Sequence, residues 1–80
     1  MRKYDYTIHK DNSPKVFKEG CEKVAKFLPK ATRKKLLVYV DGSTIQVFEQ
    51  EGQEVVLYDD YDVGAVYVSS DINLNKIFSM

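Results

Sequence analysis

Between Lys3 and Lys10 the chain alternates, with Tyr4, Tyr6 and Ile8 on one side and Asp5, Thr7 and His9 on the other. A period of two predicts a half-buried strand. Asp11-Asn12-Ser13-Pro14 then stops it. Ser13 is a good N-cap, and Pro14 suits the first helical position, where an amide would have no partner anyway. At about 100° per residue, Phe17, Gly20, Cys21, Val24 and Leu28 form one apolar stripe. Val16, Ala25 and Phe27 flank it, and Lys15, Lys18, Glu19, Glu22, Lys23 and Lys26 cover the outside. The helix is expected to end at Leu28, because Pro29 disfavours helical geometry in the residue before it. Gly20 inside the stripe costs roughly 1 kcal/mol relative to Ala, which a close approach to a sheet would explain.

Beyond Lys35 the pattern changes to a meander. Leu36–Val40, Thr44–Gln50 and Val55–Tyr58 are apolar, β-branched runs separated by Asp41-Gly42 and Glu51-Gly52, with a last strand expected over Val63–Ser69. Asp-Gly between such runs signals a two-residue hairpin turn, and Glu-Gly a weaker one. Two-residue turns would set Val38 opposite Ile45, Leu36 opposite Val47, Val47 opposite Val56 and Ile45 opposite Tyr58. Leu36, Val38, Val40, Ile45, Val47, Val56 and Tyr58 would then share one face, the expected seat of the helix. The other face would gather Leu37, Tyr39, Phe48, Val55 and Leu57. An apolar second face calls for a cover: either the tail from Ile72 to Phe78 folding over it, or a homodimer or partner interface. The tail, residues 71–80, carries no pattern that assigns it an element.

The expected fold is therefore α+β, β-α-β-β-β(-β), a single domain over residues 1–80 with one helix packed on a four- to five-stranded antiparallel sheet. This order is similar to that of cystatin-type inhibitors. Val38-Tyr39-Val40-Asp41-Gly42 lacks the glutamine-containing inhibitory loop of that family, so the similarity is one of element order and implies no site.

Composition changes the picture at three points. Apolar content of 44% and charged content of 30% are those of a folded chain and argue against disorder. No run approaches the ~20 apolar residues of a membrane span. Cys21 has no second cysteine to pair with, and Met1-Arg2-Lys3-Tyr4-Asp5 lacks the apolar run of a signal peptide, so a reducing, cytoplasmic setting is expected.

The zero net charge hides a division. Residues 1–35 hold eleven Lys/Arg against four Asp/Glu, and residues 36–80 hold one Lys against eight acids. On the helix, Lys15–Glu19, Lys18–Glu22, Glu19–Lys23 and Glu22–Lys26 are i,i+4 pairs and read as a compensated, solvated surface. What remains is a basic corner, Lys30, Arg33, Lys34 and Lys35, with Arg2, Lys3 and Lys10 as candidate neighbours. That corner would hold phosphates if the protein binds nucleic acid. The acidic counterpart is Asp59, Asp60 and Asp62 around Tyr61, with Asp41, Glu49, Glu51 and Glu54 at the hairpin tips. No spacing among them matches a calcium loop. They would instead present carboxylates to a basic protein surface.

Catalytic chemistry has little to build on. His9 stands near no Cys or Ser, Cys21 lies on the buried stripe where thiols are unreactive, and no Gly-rich phosphate loop, CxxC or HxxxH pair occurs. No cofactor or metal is expected, and no enzyme. The expected function is a small binding protein that occupies a protein partner's surface, of the kind by which phage or mobile-element accessory proteins inhibit host defence proteins. The alternative is a nucleic-acid-binding module using Lys30–Lys35.

Overall fold

The computed structural model describes residues 3–78, so Arg2 lies outside the described residues. Strand β1 (Tyr4–His9) leads into helix α1 (Pro14–Phe27). Ser13 caps the helix: its Oγ accepts the Val16 amide at 3.2 Å, and Pro14 occupies the first turn. Five strands follow, β2 (Thr32–Arg33), β3 (Leu37–Val38), β4 (Thr44–Gln50), β5 (Gln53–Asp60) and β6 (Ala65–Ser70), and then a short helix α2 (Asn75–Phe78). They make one six-stranded antiparallel sheet in the order β1-β6-β5-β4-β2, with β3 also pairing β4. The fold is α+β with one main helix on the sheet.

The two Gly turns behave differently. Glu51 and Gly52 have φ of 52° and 80°, so Gln50 pairs Gln53 across a two-residue turn, and Val47–Val56 and Ile45–Tyr58 pair as their spacing predicts. At the other turn only Gly42 has positive φ. Its amide donates to Tyr39 O at 3.0 Å and the Tyr39 amide donates to Ser43 O at 2.8 Å, which closes a three-residue loop, Val40-Asp41-Gly42. Asp41 Oδ1 holds the Ser43 amide at 2.9 Å. The extra residue moves the register by one. Leu37, not Val38, pairs Ile45, and Val38 pairs Thr44. Every side chain from Leu36 to Tyr39 therefore takes the face opposite to the expected one, while Val40, in the loop, still lines the Ile45–Tyr58 side.

A second irregularity separates β2 from β3. Arg33 pairs Phe48 and the Lys34 amide donates to Val47 O, whereas Leu37 pairs Ile45. Lys35 and Leu36 thus both stand opposite Gln46, a β-bulge in the edge. Buried Gln46 fills it, donating from Nε2 to Lys34 O.

The helix also chooses the other sheet face. Phe17, Gly20, Cys21, Val24 and Leu28 pack with Phe48, Val55, Leu57, Val66, Val68 and Tyr6 in one core. A Cβ on Gly20 would lie 3.1 Å from both Ile8 Cδ1 and Leu57 Cδ2, so the glycine is what lets helix and sheet approach. Leu74 and Phe78 join the same core. The Leu74 amide donates to Tyr6 Oη at 2.9 Å, and that hydroxyl donates to Asn75 Oδ1 at 2.7 Å, which ties the tail to β1. Helix and tail together thus cover Phe48, Val55 and Leu57. No helix among the described residues is long and apolar enough to cross a membrane.

Candidate functional site

Alternation along β5 puts Val55, Leu57 and Asp59 inward, and Glu54, Val56, Tyr58 and Asp60 on the outer face. Register carries that face across the sheet through Val47 and Ile45 on β4, Tyr67 and Ser69 on β6, and Asp5 and Thr7 on β1. No helix of the described residues lies over it. At the end nearest the Val40–Gly42 and Tyr61–Gly64 turns, it forms an open cleft of about 480 Å³ lined by Tyr39, Val40, Asp41, Ser43, Ile45, Tyr58, Asp60 and Tyr67.

The cleft floor is aromatic. Tyr58 and Tyr67 face each other on paired strands and stack, with ring centroids 4.5 Å apart and planes 16° off parallel. Asp60 stands at one end of the stack and is held from three sides. Its Oδ1 accepts the amides of Asp62 at 2.9 Å and Val63 at 3.1 Å, and its Oδ2 accepts the Tyr67 hydroxyl at 3.0 Å. The Val63 amide is the main reason its pKa falls below the ordinary carboxylate value; partial burial opposes this, and Tyr67 and the Asp62 amide add to it. Tyr67 moves the other way, to about 12, through burial first and then the hydrogen bond and negative charge of Asp60. At neutral pH the pair is a fixed carboxylate beside a fixed phenol.

The turns lock together above the cleft. Ser43 Oγ accepts the Tyr61 amide at 2.8 Å, and the Tyr61 ring lies over Gly42, 3.8 Å from where a Cβ would stand. Tyr61 and Asp62 are exposed. Asp59 is not. It is buried, and its Oδ1 accepts the Ser13 amide at 3.2 Å and Asn12 Nδ2 at 3.4 Å, anchoring the start of α1 to β5. Its place in the expected acidic group is corrected to a structural one.

The expected apolar interface also divides. Phe48, Val55 and Leu57 are core residues beneath α1 and the tail and cannot meet a partner. Leu37 and Tyr39 are exposed at the β3 edge. Two of the four cations of the basic corner are engaged within the fold. Arg33 lies on the inner side, its guanidinium 5.6 Å from the Phe48 ring centroid and its Nε donating to Gln46 Oε1 at 3.4 Å. Lys34 pairs with Glu49 at 3.3 Å. Lys30 and Lys35 are exposed.

Cys21 is buried in the helix–sheet core, and that burial pushes its thiol up to about 11. His9 does not continue the Asp5–Thr7 row, because a register shift after Thr7 pairs it with Val66; its Nδ1 sits 2.7 Å from Asp11 O. Among the described residues no group of three or more His, Cys, Asp or Glu side chains is placed to hold a metal. Tyr58 and Tyr67 were missed as site residues. Tyrosine at the same level on neighbouring strands was the available signal, and it needed the Asp60–Ala65 pairing to become visible. No protein-family model, curated protein or solved structure matches the chain.

Proposed function

We propose that this is a non-enzymatic binding protein that acts by covering a basic surface of a protein partner with its outer sheet face, the tyrosine cleft receiving a lysine or arginine side chain. The observation that carries this is the Tyr58–Tyr67 stack with the Asp60 carboxylate fixed at its end. A cation over tyrosine faces gains about 0.5–2 kcal/mol, more as water is excluded. Carboxylates at the rim add charge-assisted hydrogen bonds and steer the encounter. Asp41 and Asp62 are exposed on the turns that frame the cleft, and Asp5 lies on the same face.

A binding role is also favoured by the titration of the two groups. A carboxyl held below its usual range and a phenol held near 12 neither give nor take protons near neutral pH. Inhibition by occupancy follows naturally for a partner that handles nucleic acid, since its basic surface is the one an acidic face would fill. The proposed setting is inhibition of a host protein by a phage or mobile-element accessory protein. The basic corner supports nucleic-acid binding less well, because Arg33 and Lys34 already have partners within the fold.

The test is an NMR titration with an arginine-rich peptide and, separately, with a single-stranded oligonucleotide. The peptide should shift the ring resonances of Tyr39, Tyr58 and Tyr67 in a salt-dependent manner, and Asp62→Lys with Asp41→Lys should weaken it several-fold. Shifts confined to Lys30–Lys35 on adding the oligonucleotide, with the tyrosines silent to peptide, would contradict the proposal.

A further inference from the structure

Leu36, Leu37, Val38, Tyr39 and Val40 are apolar at five successive positions and all exposed, from 43% at Leu36 to 67% at Val38 and 108% at Val40. A run without alternation is what a strand inside a sheet carries when both its faces are covered. Here its middle, Leu37 and Val38, forms an outermost strand, paired with β4 on one side only, and Val40 already belongs to the turn. Because the Tyr39 amide is given to Ser43, alternation of the antiparallel ladder turns the N–H and C=O of Val38 outward, away from β4. Such an edge is a template for another strand.

We propose that a second copy of this chain pairs there, β3 against β3 in antiparallel register about a two-fold axis through Val38. The register selects itself by charge. Centred on Val38, Leu37 faces the second copy's Tyr39, and beyond this short ladder the bulge carrying Lys35 lies toward the second copy's turn carrying Asp41, twice by symmetry. Centred two residues earlier, Lys34 would face Val38. Centred two residues later, Asp41 would face Tyr39. Only the Val38 register brings the Lys35 bulge of each copy toward the Asp41 turn of the other, at both ends of an apolar run. The Lys35–Leu36 bulge lies at the end of that run and leaves Val38 clear of it.

The run exposes at most roughly 500 Å² per copy, below the ~800 Å² per partner of a standard interface. The contact thus suits a reversible dimer of moderate affinity. A two-fold axis in this position is perpendicular to the sheet. It places both outer faces on one side and both α1 helices on the other. Leu37 and Tyr39 then extend the tyrosine floor across the axis, so the dimer presents two clefts side by side and binds a repeated basic surface with avidity. The pairing itself stands on the edge and does not depend on what the clefts take.

Sedimentation velocity at high micromolar concentration tests it. The wild type should have twice the 9.2 kDa chain mass, dissociating on dilution. Val38→Asp sets two like charges across the axis and should give a monomer with an unchanged circular dichroism spectrum. Lys35→Glu and Asp41→Lys should each weaken the homodimer at least tenfold, and mixing the two variants should restore a dimer, because opposite charges then meet at both ends. A wild-type monomer at these concentrations overturns the proposal. So does a dimer that Val38→Asp leaves intact, or a mixture of the two charge variants that associates no better than either alone.

Discussion

At one edge of the sheet, β1 shows solvent a row of Asp5 and Thr7, a register shift after Thr7, and a backbone held from beneath by the tail through Tyr6. At the other edge, β3 shows Leu36 to Val40 and is held by β4 alone. Both have an irregularity, and β1 at six residues offers the longer backbone edge against two for β3, so length alone would favour pairing at β1. Side-chain chemistry reverses that. Polar groups on β1 make a second strand costly to dock, whereas apolar groups on both sides of β3 gain by being covered. The strongly anchored edge has no use for a partner, and the weakly anchored edge is the one dressed for it.

That contrast predicts unequal responses to equal truncations. Leu74→Ala removes a fully buried side chain from beneath the β1 side and should destabilise the protein by about 2–5 kcal/mol, read from denaturant unfolding. Tyr6→Phe keeps the ring but leaves the Leu74 amide without its acceptor, and should cost about 1–3 kcal/mol by the same measurement. Asp60→Asn acts on the other side of the sheet, by loosening the turn that packs Tyr61 against Gly42. Because the folded-state pKa of Asp60 is lowered, its contribution is full above pH ~4 and is lost as pH falls through that lowered value. Wild type and Asp60→Asn should therefore differ in stability at neutral pH and converge in acid; a constant difference would break the account. Leu37→Ala should change unfolding of dilute, monomeric protein by less than about 0.5 kcal/mol while reducing self-association, since an exposed side chain leaves no cavity.

The same pair of regions shows what the sequence could and could not reveal. The β4–β5 register was legible because Glu51-Gly52 supplies both positive-φ positions of a tight turn. Asp41-Gly42 carries the same signal, but Asp41 spends its side chain on the Ser43 amide and Gly42 alone takes the left-handed position. One extra loop residue then reversed the faces of Leu36–Tyr39. Helix limits, cap and buried stripe were legible because periodicity and Ser13-Pro14 agree. Which sheet face the helix covers was not, since Phe48, Val55 and Leu57 on one side and Ile45, Val47 and Val56 on the other are equally apolar. Alternation from Leu57 already implied an inward Asp59, and an acid facing the core needs donors, here Ser13 and Asn12. Of the site, Tyr61, Asp60 and Asp62 were visible as a loop cluster, whereas the Tyr58–Tyr67 stack required cross-strand pairing.

Amide hydrogen exchange compares the two edges most directly. Alternation along β6 from the Asp71-to-Glu54 hydrogen bond turns the Asp5 amide outward on β1, as the Val38 amide is turned outward on β3. At high micromolar protein the Val38 amide should exchange far more slowly than that of Asp5, and its protection should fall on dilution. Equal, rapid exchange at Val38 and Asp5 at every concentration would contradict the account.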